Sequence, residues 1–173
     1  NRFCPFWIHV STSQAQMKYQ LLDTGNLQKL EQVGPYRIIR PTGAAVWPRS
    51  LPAKEWNKAQ AEFVRHAGGE GSWKNRSSLP DNWQIKVDNC TLEVRPTEFG
   101  HLGFFPEHFD LQPLGKAITA YSKEPFRLLN LFAYTGISTI WAALKGAHVV
   151  HLDASKTSVA WARENAQLSQ AQD

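Results

Sequence analysis

Residues 126–153 constrain the fold of this chain more than any other stretch. Residues 127–132 (RLLNLF) are an apolar run of strand length. Ala133, Tyr134, Thr135 and Gly136 follow as a small-residue turn. Ile137, Ile140, Trp141 and Leu144 then recur at i, i+3, i+4 and i+7, the spacing of one helix face, and Gly146 stops that helix. Residues 147–152 are a second strand-like run, ending on Asp153. The pattern predicts a β-α-β unit with an acid at the tip of its second strand.

That arrangement suits a particular kind of ligand. A small-residue turn lets a ligand approach the backbone, and the helix behind it presents free N–H groups. Asp153 follows at the distance expected of a carboxylate that holds ribose hydroxyls. A dinucleotide site wants G-x-G-x-x-G, and this turn has Gly136 alone. The pyrophosphate cradle is therefore missing, which argues against a nicotinamide-linked oxidoreductase. An adenosine ligand without phosphate fits better, with S-adenosylmethionine the obvious one. A parallel β-α-β unit that binds nothing has the same spacing.

The words LNLFAYTG and HLDASKTSVAWAREN narrow the choice. They resemble the cofactor site of class I S-adenosylmethionine-dependent methyltransferases. The nearest branch modifies large-subunit ribosomal RNA at cytosine C5 or guanine N7. Its pattern is matched by Asn130, Phe132, Tyr134, Thr135 and Gly136, then Asp153, Ser155, Ala162 and Asn165. Ile137 departs from it, since many relatives carry a second glycine there. The resemblance covers 93–173 well and 17–95 more loosely. It implies an α/β fold, the N-terminal part of a Rossmann-like methyltransferase sheet, preceded by a small mixed α+β module. The implied cofactor is S-adenosyl-L-methionine, bound by Asn130, Phe132, Ala133, Tyr134, Thr135, Gly136, Asp153, Ala154 and Ser155. The implied partner is RNA, ribosomal in this branch. The expected division is 1–96 for the leading module and 97–173 for the first part of the methyltransferase domain.

With 173 residues, 42% of them hydrophobic and 20% charged, the chain can build a packed core and is not composed like a disordered one. No apolar run reaches membrane-spanning length. No secretory leader pattern opens the sequence, and the first residue is Asn1, so a segment of a longer cytoplasmic protein is expected. Cys4 and Cys90 make no disulfide framework and read as reduced thiols. A net charge of +4 and a pI near 9.2 are compatible with RNA without demanding it.

The rest of the chain reads more coarsely. Residues 1–16 are an irregular lead-in. Asp23-Thr24-Gly25-Asn26 signals a turn, and Gly34-Pro35 opens a short strand over 36–40. Residues 42–51 read as a loop. A helix is expected over 54–66, with Trp56, Ala59, Phe63 and Ala67 on its buried face, and a polar loop over 71–80. Residues 83–87 and 91–95 alternate apolar and polar around Asp88-Asn89-Cys90, which predicts a hairpin. Trp47, Trp56, Trp73 and Trp83 lie near basic residues, so they either stack on RNA bases or plug a small core. His101, Glu107, His108 and Asp110 match no metal-ligand spacing. A helix is expected over 111–122. Another is expected over 156–169, capped by Ser155, with Val159, Ala162 and Ala166 inward and Trp161 and Asn165 off that face.

The expected catalytic groups are not in this sequence. The resembled branch places an Asn/Asp-Pro-Pro motif after its fourth strand, and neither Pro-Pro nor Asp-Pro occurs here. A C5-cytosine mechanism needs a cysteine in the same region, whereas Cys4 and Cys90 precede the cofactor stretch. The catalytic residues are therefore unassigned. The competing reading is a non-catalytic RNA- or nucleotide-binding module derived from a methyltransferase.

Overall fold

The computed structural model describes residues 18–66, 70–121 and 126–171. The expected lead-in, with Cys4, lies outside the described residues. Strands β1 (Tyr19–Gly25), β2 (Gln28–Val33) and β3 (Tyr36–Pro41) form an antiparallel meander. Its first turn is Asn26-Leu27, both at positive φ, as a two-residue hairpin loop requires. Gly34-Pro35 makes the second turn, where expected. After one helical turn, α1 (Ala53–Trp56), strand β4 (Ala61–Arg65) runs parallel to β3, and β5 (Gly71–Lys74) closes the five-stranded sheet.

The helix expected over 54–66 is thus confined to its first turn. Ala59 and Phe63 lie four apart, a spacing that satisfies both a helix face and the period of a strand. The neighbours decide: Ala61 and Phe63 are buried while Glu62 and Val64 are half-exposed. Phe63 meets Trp73 of β5 ring to ring at 5.3 Å. The expected loop over 71–80 likewise begins as β5, because backbone pairing to β4 needs no apolar alternation.

The hairpin of β6 (Trp83–Val87) and β7 (Cys90–Val94) forms as its alternation predicts, with Cys90 inside the strand opposite Val87. It is the centre of the molecule. Ile85, Cys90, Leu92 and Val94 are fully buried, and burial pushes the Cys90 thiol up to about 12. The Trp83 indole N–H donates to the Val33 carbonyl at 3.0 Å on one side. The Trp141 indole N–H donates to Asp88 Oδ2 at 2.7 Å on the other. The hairpin therefore joins the five-stranded sheet to the second half of the chain. Trp56 and Trp83 are buried, and the Trp56 indole donates to Asp23 at 3.0 Å, so these two fill the core and are not free to stack on bases. Trp47 keeps about half its surface.

The second half contains α2 (Gln112–Tyr121), β8 (Arg127–Leu131), α3 (Ile137–Leu144), β9 (His148–Leu152) and α4 (Lys156–Leu168). Strands β8 and β9 pair in parallel, Arg127 with His148 through Leu131 with Leu152. This is the β-α-β unit read from the sequence. The expected cap is present, with Ser155 Oγ accepting from the Ser158 N–H at 3.2 Å. One face of the strand pair is open, leaving Leu129, Leu131, Val150 and Leu152 each at least half exposed. The buried stripe of α4 is Ser158, Trp161, Ala162, Asn165 and Ser169, so the expectation that Trp161 and Asn165 lie off the buried face is corrected. Asn165 meets the backbone edge of β7 through the Glu93 N–H, and the Trp161 ring packs against Gly103 with Arg95 over it.

Candidate cofactor site

The turn after β8 is clamped from several directions. Phe132, Tyr134 and Gly136 all have positive φ, so the chain alternates handedness as it leaves the strand. Gly136 sits at φ 93 as the N-cap of α3. The Tyr134 N–H donates to Asp153 Oδ2 at 2.8 Å, and the Ser155 N–H donates to Asp153 Oδ1 at 2.8 Å. Those bonds from Ser155 and Tyr134 hold the Asp153 carboxyl below the usual carboxylate range. Each oxygen has accepted one proton donor, and a second lone pair remains on each.

Below the turn, Asn130 Nδ2 donates to Thr139 Oγ1 at 2.8 Å, and Thr139 Oγ1 lies 2.9 Å from His151 Nδ1. A Thr139 hydroxyl that accepts from Asn130 has its own proton free for His151. The imidazole then carries its proton on Nε2, which finds no partner among the described residues. Burial lowers the His151 pKa. Asn130 therefore ties the end of β8 to α3.

Above the turn lies the segment 97–110. The Thr135 hydroxyl donates to the Gly103 carbonyl, and the Phe105 ring packs 5.2 Å from that of Tyr134. Gly103 has φ +89 and its α-carbon faces the Trp161 ring, leaving no room for a side chain. Phe105 sits between His101, at 6.1 Å, and His108, at 5.7 Å. No group of three metal-ligating side chains gathers among the described residues. The five-stranded sheet supports this segment. Arg40 donates to both oxygens of buried Glu31 at 2.7 Å and to the Gly100 carbonyl at 3.0 Å. Burial raises the Glu31 pKa, but the Arg40 guanidinium outweighs it and holds the carboxyl below its ordinary value.

The residues singled out from sequence thus converge, with unequal freedom. Phe132 is 91% exposed and stands clear beside the turn. Ala133, Thr135 and Gly136 are buried, and the Ala133 and Gly136 N–H groups are bonded to the Leu152 and Ala133 carbonyls, so their part is to shape the turn. Tyr134 and Asp153 are half-exposed and Ala154 is exposed, while the Ser155 hydroxyl is committed to its cap. Gly103 and Thr139 carry no role in the sequence reading, nor do His151 and Asn165, although the last two stand in the word HLDASKTSVAWAREN.

A parallel β-α-β unit, a sharp turn at the helix N-terminus and an accessible carboxylate at the second strand tip are the arrangement expected of the leading part of a class I methyltransferase domain. No family model matches the sequence. The chain is 32% identical over 142 residues to ribosomal RNA large subunit methyltransferase K/L of Marinobacter nauticus, covering 82% of this chain and 18% of that protein. It is 27% identical over 154 residues to the protein of the same name from Chromohalobacter salexigens, covering 84% and 20%. The crystal structure of a SAM-dependent methyltransferase from Agrobacterium tumefaciens superposes with a TM-score of 0.82 at 36% identity, over 90% of this chain and 50% of that one. Over most of its length the chain is similar to S-adenosylmethionine-dependent methyltransferases, and the two curated relatives are named for the large ribosomal subunit. It spans about a fifth of the length of these two relatives and half that of the solved structure.

Proposed function

We propose that the protein transfers a methyl group from S-adenosylmethionine to a base of ribosomal RNA in the cytoplasm, and that this chain supplies the cofactor-binding half. The observation that carries the reading is the Asp153 carboxylate, accessible, ionised and anchored to the turn it faces. Its free lone pairs suit the two hydroxyls of a ribose. What the site offers a cofactor without a pyrophosphate is the exposed face of Phe132, the Tyr134 ring, Asp153 and Ala154, over a turn shaped by Ala133 and Gly136. Asn130, Thr135 and Ser155 belong to the site by holding its shape.

The bound cofactor supplies an electrophilic sulfonium methyl. The protein's part is to hold that methyl in line with an acceptor atom, which is catalysis by proximity. The target base has to be unpaired or flipped to reach it. The names of the relatives support RNA as the substrate, as does the chain's basic charge. Residues 1–96 act as the leading module and 97–173 as the start of the methyltransferase domain, with the hairpin β6–β7 as the joint.

The test is calorimetric titration of the full-length protein with S-adenosylhomocysteine, followed by transfer of radiolabelled methyl to ribosomal RNA. Saturable binding with label incorporated supports the enzyme. Binding without incorporation supports a non-catalytic module, and no binding removes the cofactor reading.

A further inference from the structure

Asn165 lies in the middle of α4 and is fully buried. A buried primary amide is costly unless its donor and acceptor sides are both used. Here they are. Asn165 Oδ1 accepts from the Glu93 N–H of β7 at 2.8 Å, and Asn165 Nδ2 donates to the Thr135 carbonyl at 2.9 Å. One side chain therefore joins the central hairpin to the cofactor turn.

The Thr135 carbonyl belongs to the peptide unit that leads into Gly136, the residue that caps α3. Holding that carbonyl fixes the plane of the peptide. The Gly136 N–H is then directed to the Ala133 carbonyl at 3.0 Å. The Thr135 hydroxyl is held by Gly103. Tyr134 is held by Asp153. Among the described residues, Asn165 supplies the one hydrogen bond that reaches the turn from the side of the hairpin.

Ser169, the C-cap of the same helix, is bonded to the same strand. Ser169 Oγ accepts from the Thr91 N–H at 2.9 Å and donates to the Thr91 carbonyl at 3.0 Å. It is also buried and also ties α4 to β7. It does not touch the turn. Asn165 and Ser169 make the same kind of attachment to the hairpin and differ in the bond to Thr135.

We infer that Asn165 is a positioning residue for the cofactor turn, transmitting the placement of the hairpin β6–β7 to the peptide between Thr135 and Gly136. The inference rests on the cofactor reading above. Cofactor affinity then depends on the leading half of the chain through Glu93, Asn165 and Thr135, although Asn165 touches no ligand.

The experiment compares Asn165→Leu, Asn165→Asp and Ser169→Ala with wild type in the full-length protein. Two quantities are read: affinity for S-adenosylhomocysteine by calorimetry, and amide hydrogen exchange at Tyr134 and Gly136 without ligand. Asn165→Leu should bind at least about tenfold more weakly, with faster exchange at both amides. Ser169→Ala should bind within about twofold of wild type, with the turn still protected. Asn165→Asp is nearly isosteric, keeps the bond from Glu93 and turns an oxygen toward the Thr135 carbonyl, so it should fold and still lose affinity. It decides the matter if Asn165→Leu fails to fold. Wild-type affinity in Asn165→Asp, or an equal loss in Ser169→Ala, overturns the inference. If wild type itself does not bind S-adenosylhomocysteine, the cofactor reading fails. The exchange data then stand alone: a turn loosened in the Asn165 variants but not in Ser169→Ala supports the positioning role, and equal protection overturns it.

Discussion

Asp153 Oδ2 and the backbone N–H of Tyr134 meet at 2.8 Å, so the tip of β9 holds the turn that follows β8. The acid read as a ribose ligand is first of all a strut for the turn. Its two jobs are compatible, because each carboxylate oxygen can accept a second hydrogen bond. One residue thus fixes the shape of the turn and is placed to face the proposed ligand.

Replacing Asp153 tests both jobs at once. Asp153→Ala removes the strut and the ribose acceptor together. Charge-assisted hydrogen bonds contribute roughly 1.5–3 kcal/mol each, so affinity for S-adenosylhomocysteine should fall on the order of tenfold to a few hundredfold. Asp153→Asn keeps one acceptor oxygen and should lose less. Calorimetry on the full-length protein measures both, and unchanged affinity in the alanine variant would remove Asp153 from the site.

Gly136 and Gly146 both have positive φ, at 93° and 86°, but in different surroundings. A Cβ on Gly136 would lie 3.1 Å from the Ala162 Cβ, whereas one on Gly146 meets open space. Both substitutions carry the left-handed backbone cost of about 1–2 kcal/mol, and only the first also pushes α4 away from the turn. Gly136→Val should abolish cofactor binding while the five-stranded sheet stays folded. Gly146→Ala should lower the thermal midpoint modestly and leave affinity intact. Equal affinities in the two variants would show that the turn does not shape the ligand site.

Acidity should act in two windows. His151 has its pKa lowered by burial, so the unfolded chain binds more protons than the native one between that lowered value and about 6.5. Stability therefore falls as pH drops through this window. Asp153 is a carboxylate with a lowered pKa, so its contribution is complete above about pH 4 and is lost only as pH falls through its lower native value. Urea unfolding of wild type and His151→Gln from neutral to mildly acidic pH checks the first window. An unchanged slope in the variant would place the pH dependence elsewhere.

The open face of the β8–β9 pair carries Leu129, Leu131, Val150 and Leu152. Contiguous apolar surface of this kind associates or takes up apolar dyes. The 173-residue chain by itself should bind such a dye and aggregate on concentration, and it should be catalytically inactive. Leu131→Thr with Val150→Thr should reduce both dye binding and aggregation. A monodisperse chain that ignores the dye would show that the face is covered in solution.

The β-α-β unit was legible because its signals are local: two apolar runs, a helix-period face, a stop at Gly146 and an acid at the strand tip. The hairpin β6–β7 was legible for the same reason, through its alternation. The strand β4 was not, because Ala59 and Phe63 fit two periods at once and only pairing with β3 and β5 selects one. The four tryptophans could not be sorted from sequence either. Trp56 is buried by its bond to Asp23 and Trp83 by its bond to Val33, partners far away in the chain. For the site, sequence located the turn and Asp153, whose signals are local. Tertiary structure alone decided that Asn165 faces inward, that Thr135 spends its hydroxyl on Gly103, and that Thr139 and His151 lie beneath the turn. These residues act through partners on other elements, and hydrogen bonds between distant segments leave no periodicity in a sequence.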